Sequence, residues 1–125
     1  MDDPLEDLYQ EALAASREKL WRRENSYVAD LIEVLWPNGK HDLSRRKTID
    51  SMEVLRCAKR LSVPNTFEQT VQSAFNQHCI HSPVFKRRNA PADGLFSSRR
   101  TGNGTYWIVH HERATSWLKA KNRAK

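Results

Sequence analysis

Four side chains that can both donate and accept hydrogen bonds, Gln69, Gln72, Ser73 and Asn76, recur in the segment PNTFEQTVQSAFNQHC at the spacing of one helical face. Phe67, Val71, Ala74, Phe75 and His78 take the other face, so the predicted helix packs by one side and can read a partner by the other. A carboxamide in the major groove of duplex DNA donates to and accepts from adenine at once, and each good contact of that kind gives about 1 to 3 kcal/mol of discrimination. Thr66 enters the same surface just ahead of the helix. Two basic runs follow. Lys86, Arg87 and Arg88 lie in a loop, and Arg99 and Arg100 lie in the segment GLFSSRRTGNGTYWIVHH with Ser98 and Asn103 beside them. Such groups suit phosphates or a narrow minor groove, which gives affinity without sequence information. Arg45, Arg46 and Lys47 form a third run at the start of the preceding helix, where cations are disfavoured unless an anion is bound there.

Each feature also has a plain reading, since amides are ordinary solvated helix residues and charge runs are commonly solvated loops. Place within the predicted reading helix raises the functional reading of the amides to equal footing. The local charge excess and the wing position favour it for the two later basic runs, and the plain reading is favoured for Arg45, Arg46 and Lys47. Other chemistry has less to work with. His78, Cys79 and His81 stand too close in sequence to converge easily on one metal ion, and no second cluster offers the remaining donors, so no metal is expected. The carboxylates make no nuclease-like set, there is no glycine-rich phosphate loop, and GNG reads as a turn. A non-enzymatic protein without a cofactor is the expectation.

The elements that must position these residues are mostly helical. Asp3 and Pro4 open a first helix through about Arg23, with Leu5, Leu8, Tyr9, Ala12, Leu13, Ser16 and Leu20 in one stripe. That stripe must be buried against the body of the chain, a second copy or a partner. Ser26 begins a second helix that Pro37, Asn38 and Gly39 end. Leu43 to Arg46 opens a third, carried by Ile49, Met52, Leu55, Cys57, Ala58 and Leu61, and SVPNT breaks it before the amide-faced helix, whose end falls at His78 and Cys79. Residues 82–94 read as a loop. Two short strands follow around a turn of Gly102, Asn103 and Gly104, residue types that tolerate the positive φ of a tight hairpin. A last basic helix runs from about Glu112 to Ala124.

Net charge is +6 over 125 residues, and its placement matters more than its size. Residues 1–63 hold eleven basic and twelve acidic side chains, a charge of −1; residues 64–125 hold ten basic against Glu68, Asp93 and Glu112, a charge of +7. The basic half carries the amide helix and the hairpin, which suits a polyanion. No apolar run reaches the length of a spanning helix, and the acidic start MDDPLEDLYQ is unlike a signal peptide. A soluble intracellular protein is expected, in cytoplasm or nucleoid if bacterial and in the nucleus if eukaryotic. Cys57 and Cys79 are expected as free thiols. Trp21 is the tryptophan best placed for a partner, since Trp36, Trp107 and Trp117 fall where a small core needs bulk.

Several motifs in order resemble a known family. They are VLWPNGK closing a helix, the Pro64 and Thr66 entry, TVQSAFNQHC, then Ser82 and Phe85, then Leu95 and Phe96, and the glycine-aromatic ending at Gly104, Tyr106 and Trp107. Over roughly residues 27–109 the chain resembles the winged helix-turn-helix domain associated with bacterial restriction endonucleases and found in some eukaryotic chromatin proteins, the HARE-HTH-like group. The resemblance implies a mainly α fold with a small β wing that binds double-stranded DNA and in some cases senses modified DNA. The expected layout is an amphipathic helix over 1–25, the winged helix over 26–112 and a basic helix or tail over 113–125. Two functions are open. One is a DNA-binding regulator, or the accessory or specificity subunit of a restriction or modification system. The other is a protein interaction module that uses the winged helix as a scaffold and Leu5, Leu8, Tyr9, Ala12, Leu13 and Leu20 to dock a partner or make a homodimer.

Overall fold

The computed structural model describes residues 4–17, 23–38, 43–87, 89, 93–102 and 104–123, without the side chains of 13, 15–17, 23–25, 38 and 122–123. Helices α1 (Pro4–Arg17) and α2 (Arg23–Leu35) lead into a 3-10 turn at Trp36–Asn38. Strand β1 (Leu43–Ser44), helices α3 (Arg45–Ala58), α4 (Phe67–Asn76) and α5 (Pro83–Lys86), strands β2 (Phe96–Thr101) and β3 (Gly104–Val109), and helix α6 (His111–Arg123) follow. The sheet is antiparallel in the order β1-β3-β2. Helix, strand, two helices and a two-stranded wing is the winged helix-turn-helix order, a mainly helical fold with a small β wing. None of the described helices is long and apolar enough to cross a membrane.

One core serves helices and wing together. Leu31 and Ile32 of α2, Ile49 and Met52 of α3, and Val71 and Phe75 of α4 are almost wholly buried. The Phe75 ring lies parallel to Trp107 at 3.9 Å and stacks on Phe96 at 5.3 Å, which anchors the amide helix on the wing. Aromatic pairs of this kind are worth about 0.5 to 1.5 kcal/mol beyond their buried area. Between α2 and α3 lies an ionic cluster, buried at Asp30 and Arg56 and reaching solvent at Lys59. Arg56 donates to Asp30 at 2.8 Å, Lys59 to Asp30 at 2.7 Å and to Glu33 at 2.8 Å, and the Arg56 guanidinium covers the Tyr27 ring at 4.1 Å. Burial works against the Lys59 charge, but the hydrogen bonds to Asp30 and Glu33 outweigh it and raise its pKa above 10.5.

The first helix covers three of the described members of its stripe within its own chain. Tyr9 and Ala12 join the core, Leu5 packs against it, and Leu8 is 39% exposed. Tyr9, Trp36 and His111 form a three-ring stack, at 3.6 Å and 4.0 Å, that joins α1 and α6 through the 3-10 turn. Glu6 accepts from the Trp36 indole at 2.7 Å. Leu5, Tyr9 and Ala12 are therefore spent on the fold and do not form the docking or dimer stripe that their spacing suggests. The side chain of Leu13, and Leu20 and Trp21 entirely, lie outside the described residues.

The structure corrects five element boundaries. Helix α2 starts at Arg23, so Ser26 does not open it but lies within its first turn, where its hydroxyl accepts from Arg56 at 3.2 Å. Leu43 and Ser44 do not open a helix; they pair with Trp107 and Tyr106 of β3, and the Ser44 hydroxyl then caps α3 by accepting from the Lys47 N–H at 3.2 Å. Helix α3 stops at Ala58, before Leu61, because Arg60 takes a left-handed φ of 59° and the Leu61 N–H turns back to the Arg56 carbonyl at 2.8 Å. Helix α4 stops before His78 and Cys79. The His78 carbonyl accepts from the N–H groups of Leu95 and Phe96, both at 3.0 Å, and Cys79 bridges to Phe96. Within residues 82–94, where the sequence predicts only a loop, a single helical turn, α5, buries Phe85. Cys57 and Cys79 are free thiols, one exposed and one buried.

Candidate nucleic-acid interface

Helix α4 forms a polar ridge with a groove on each side. Its apolar residues Phe67, Val71, Ala74 and Phe75 are buried, while Gln69 and Ser73 are exposed and Gln72 and Asn76 half-buried. Thr66 precedes the helix, exposed, and its carbonyl accepts from the Thr70 hydroxyl at 3.0 Å. On one flank a groove of about 660 Å³ runs between α4, Arg45 and Val84 of α5, and a smaller one of about 320 Å³ continues past Asn76 to Ser98, Thr105 and Trp107 of the wing. On the other flank a groove of about 590 Å³ separates α4 from Tyr27, Trp117 and Lys121. Gln69 and Ser73 border both flanks.

Cations reach this ridge from several elements. Arg45 and Arg46 stand at the start of α3, but neither is open: Glu68, in the first turn of α4, accepts from Arg45 at 3.1 Å and from Arg46 at 3.5 Å, and Arg46 also pairs with Asp50 at 3.2 Å. The hydrogen bond from Arg45, then the Arg46 charge, hold the Glu68 carboxyl below its usual pKa. The anion that a basic helix start needs is thus supplied from within the chain. Lys47 is exposed beside them. Arg45 Nε also donates to Gln72 Oε1 at 2.6 Å, and Gln72 Nε2 donates to Asn76 Oδ1 at 2.9 Å.

The two wing arginines part company. Arg100 is paired with Thr105, and Ser98 with Trp107, so by strand alternation Arg100 lies on the sheet face of the α4 groove. Arg99, paired with Tyr106, lies on the opposite face, its guanidinium 5.9 Å from the Tyr106 ring. The structure therefore brings Arg100, and not Arg99, to the side of α4. Ser98 is half-buried within reach of the Cys79 thiol at 3.9 Å. Lys86 and Arg87 are exposed at the end of α5, just past Val84, which lines the larger groove. Arg88 and Asn103 lie outside the described residues. No family model, curated protein or solved structure matches this chain.

Three further residues belong to the surface without a clear signal in the sequence. Glu68 has only its place among amides to mark it. Val84 is 48% exposed and lines the Arg45 flank, which a lone valine in a proline-bearing loop does not announce. Lys121 borders the other flank, its ammonium 5.8 Å from the Trp117 ring. His78 packs edge-on against Phe96 and Trp117; burial, and then the Lys121 charge, lower its pKa below 6.5. His81 is exposed, and among the described residues no three His, Cys, Asp or Glu side chains gather as a metal site.

Proposed function

We propose that the protein is a non-enzymatic, double-stranded-DNA-binding winged helix that lays α4 in the major groove and braces the duplex with its wing. The observation that carries this reading is the α4 ridge, polar along its crest, with a groove on either side and a cation from a different element on each: Arg45 and Arg100 on one flank, Lys121 on the other. An α-helix of about 10 to 12 Å diameter fills a major groove about 12 Å wide, and the two phosphate backbones then run along its flanks. The +7 charge of residues 64–125 favours a polyanion in that position. The family resemblance of residues 27–109 supports a role as a regulator, or as a specificity or accessory subunit of a restriction or modification system, with modified DNA among its targets.

Fluorescence polarisation with a labelled duplex at several salt concentrations tests the reading. The full chain should bind with a steep salt dependence, and replacing Arg87, Arg100 and Lys121 by Gln should lower the log–log slope by about 0.9 for each phosphate no longer neutralised. Affinity that stays flat between low and physiological salt rejects DNA as the partner.

A further inference from the structure

The amide face of α4 is not free to choose its hydrogen-bond polarity. A guanidinium carries five N–H groups and no acceptor. Arg45 Nε approaches Gln72 at 2.6 Å, so the Gln72 atom that meets it must be oxygen. The Gln72 nitrogen is thereby turned one helical turn onward, where it meets Asn76 at 2.9 Å, and the Asn76 atom that receives it must also be oxygen. One donor-only group sets two amides in series. Arg45 is itself steadied by Glu68 at 3.1 Å.

What the relay itself leaves for a ligand is the Asn76 nitrogen. It has no acceptor among the described residues and is not among their buried unpaired atoms, and Asn76 borders both grooves on the Arg45 flank. The Asn76 amide, its oxygen turned back to accept from Gln72, therefore presents its N–H donors outward, unlike an amide that can turn. Adenine's major-groove edge needs a donor and an acceptor, because N7 accepts and N6 donates; guanine presents two acceptors side by side, N7 and O6. Set against guanine, the two Asn76 N–H groups can be taken up by N7 and O6. Set against adenine one still reaches N7, but the other meets the N6 amino donor and both of those are left unpaired, which is the costly outcome for a desolvated polar group.

Resting on the DNA-binding reading above, we infer that the Arg45–Gln72–Asn76 relay is a specificity device that sets Asn76 to read guanine. Arg45 is its positioning residue and does not itself touch the base. Lys at position 45 also has donors only and keeps the polarity, whereas Met fills similar space and releases both amides.

Selection from a pool of randomised duplexes, run with the full chain and with Arg45→Met, Arg45→Lys and Asn76→Asp, tests the relay. The full chain should enrich guanine over adenine by about 5- to 150-fold at one position. Asn76→Asp, which keeps an oxygen toward Gln72 but offers acceptors outward, should replace that guanine by cytosine, whose N4 donates. Arg45→Met should bring guanine and adenine to near parity there, and Arg45→Lys should restore guanine. Salt-dependent binding with no base preference in the full chain, with a base other than guanine at the position that Asn76→Asp changes, or with guanine unaltered in Arg45→Met overturns the relay and leaves DNA binding standing. No binding by the folded full chain overturns both.

Discussion

Glu68 is an acidic residue in the middle of a surface proposed to meet phosphates, and replacing it measures how far that surface is held back. At the junction of α3 and α4, Arg45, Arg46 and Lys47 supply three positive charges and Asp50 and Glu68 two negative ones, a net +1; Glu68→Gln makes it +2. The glutamine oxygen still accepts from Arg45, so the Gln72 contact and the base preference should be kept. What changes is that Arg46 and Arg45 no longer spend their charge on a carboxylate. One more neutralised phosphate steepens the log–log salt dependence by about 0.9, which corresponds to about 8-fold tighter binding at 0.1 M salt for variants that bind alike at 1 M. Both Arg45 and Arg46 hold the Glu68 pKa below 4.5, so the carboxylate is charged at neutral pH and the difference is fully expressed there. Polarisation titrations of the two proteins across a salt series give the slope and the affinity together. An unchanged slope, or weaker binding by a variant that unfolds at the same temperature as the parent, would mean that no phosphate runs past the start of α3.

Three predictions concern the frame. Asp30→Ala leaves Arg56 buried without its carboxylate and should cost about 3 to 5 kcal/mol, read by urea denaturation; a shift under about 1 kcal/mol would deny the cluster its part in joining α2 to α3. Tyr9→Ala opens the stack on Trp36 and should cost about 3 to 5 kcal/mol while the mass measured by sedimentation stays that of the parent; an intact fold with a changed mass would return α1 to the interface reading. His78 and His110 both have pKa values lowered by burial, with Lys121 adding to the first and Arg113 to the second, so the unfolded chain binds their protons more readily than the folded one. Their contribution to stability is therefore present above about pH 6.5 and lost as the pH falls through the folded values, and His78→Gln should flatten that limb of a stability-against-pH curve.

The parts of this fold that are legible in the sequence are those whose signal is periodic or local. Phe67, Val71, Ala74 and Phe75 mark the buried face of α4 by spacing alone, and Gly102 and Gly104 mark the turn between β2 and β3. Strand β1 is only two residues long, too short for any alternation, so in sequence Leu43 and Ser44 merge with the helix they precede. The end of α4 is hidden for a different reason: helical periodicity runs on through His78, and it is the N–H groups of Leu95 and Phe96, far along the chain, that claim its carbonyl. The α1 stripe has several possible partners in sequence, and the stack of Trp36 and His111 with Tyr9 shows that the body of the chain takes up its Tyr9 position.

The candidate site is legible as a set of residue types and not as an arrangement, and the gap is electrostatic. In sequence Arg45 is a cation awaiting an external anion, yet Glu68, 23 residues on, occupies it. Gln72 and Asn76 are amides free to turn, yet the same arginine fixes both. Arg99 and Arg100 stand as one pair, and the pleat sends them to opposite faces. In each case composition supplies the groups and a contact between distant segments decides their sign, polarity or direction. Phe75, packed between Phe96 and Trp107, is what makes those contacts dependable, because it locks the helix bearing Glu68, Gln72 and Asn76 to the wing bearing Arg100. On the proposed reading, a ligand met by the helix would be braced by the wing in a fixed register, and a change in the core beneath Phe75 should disturb recognition before it disturbs charge.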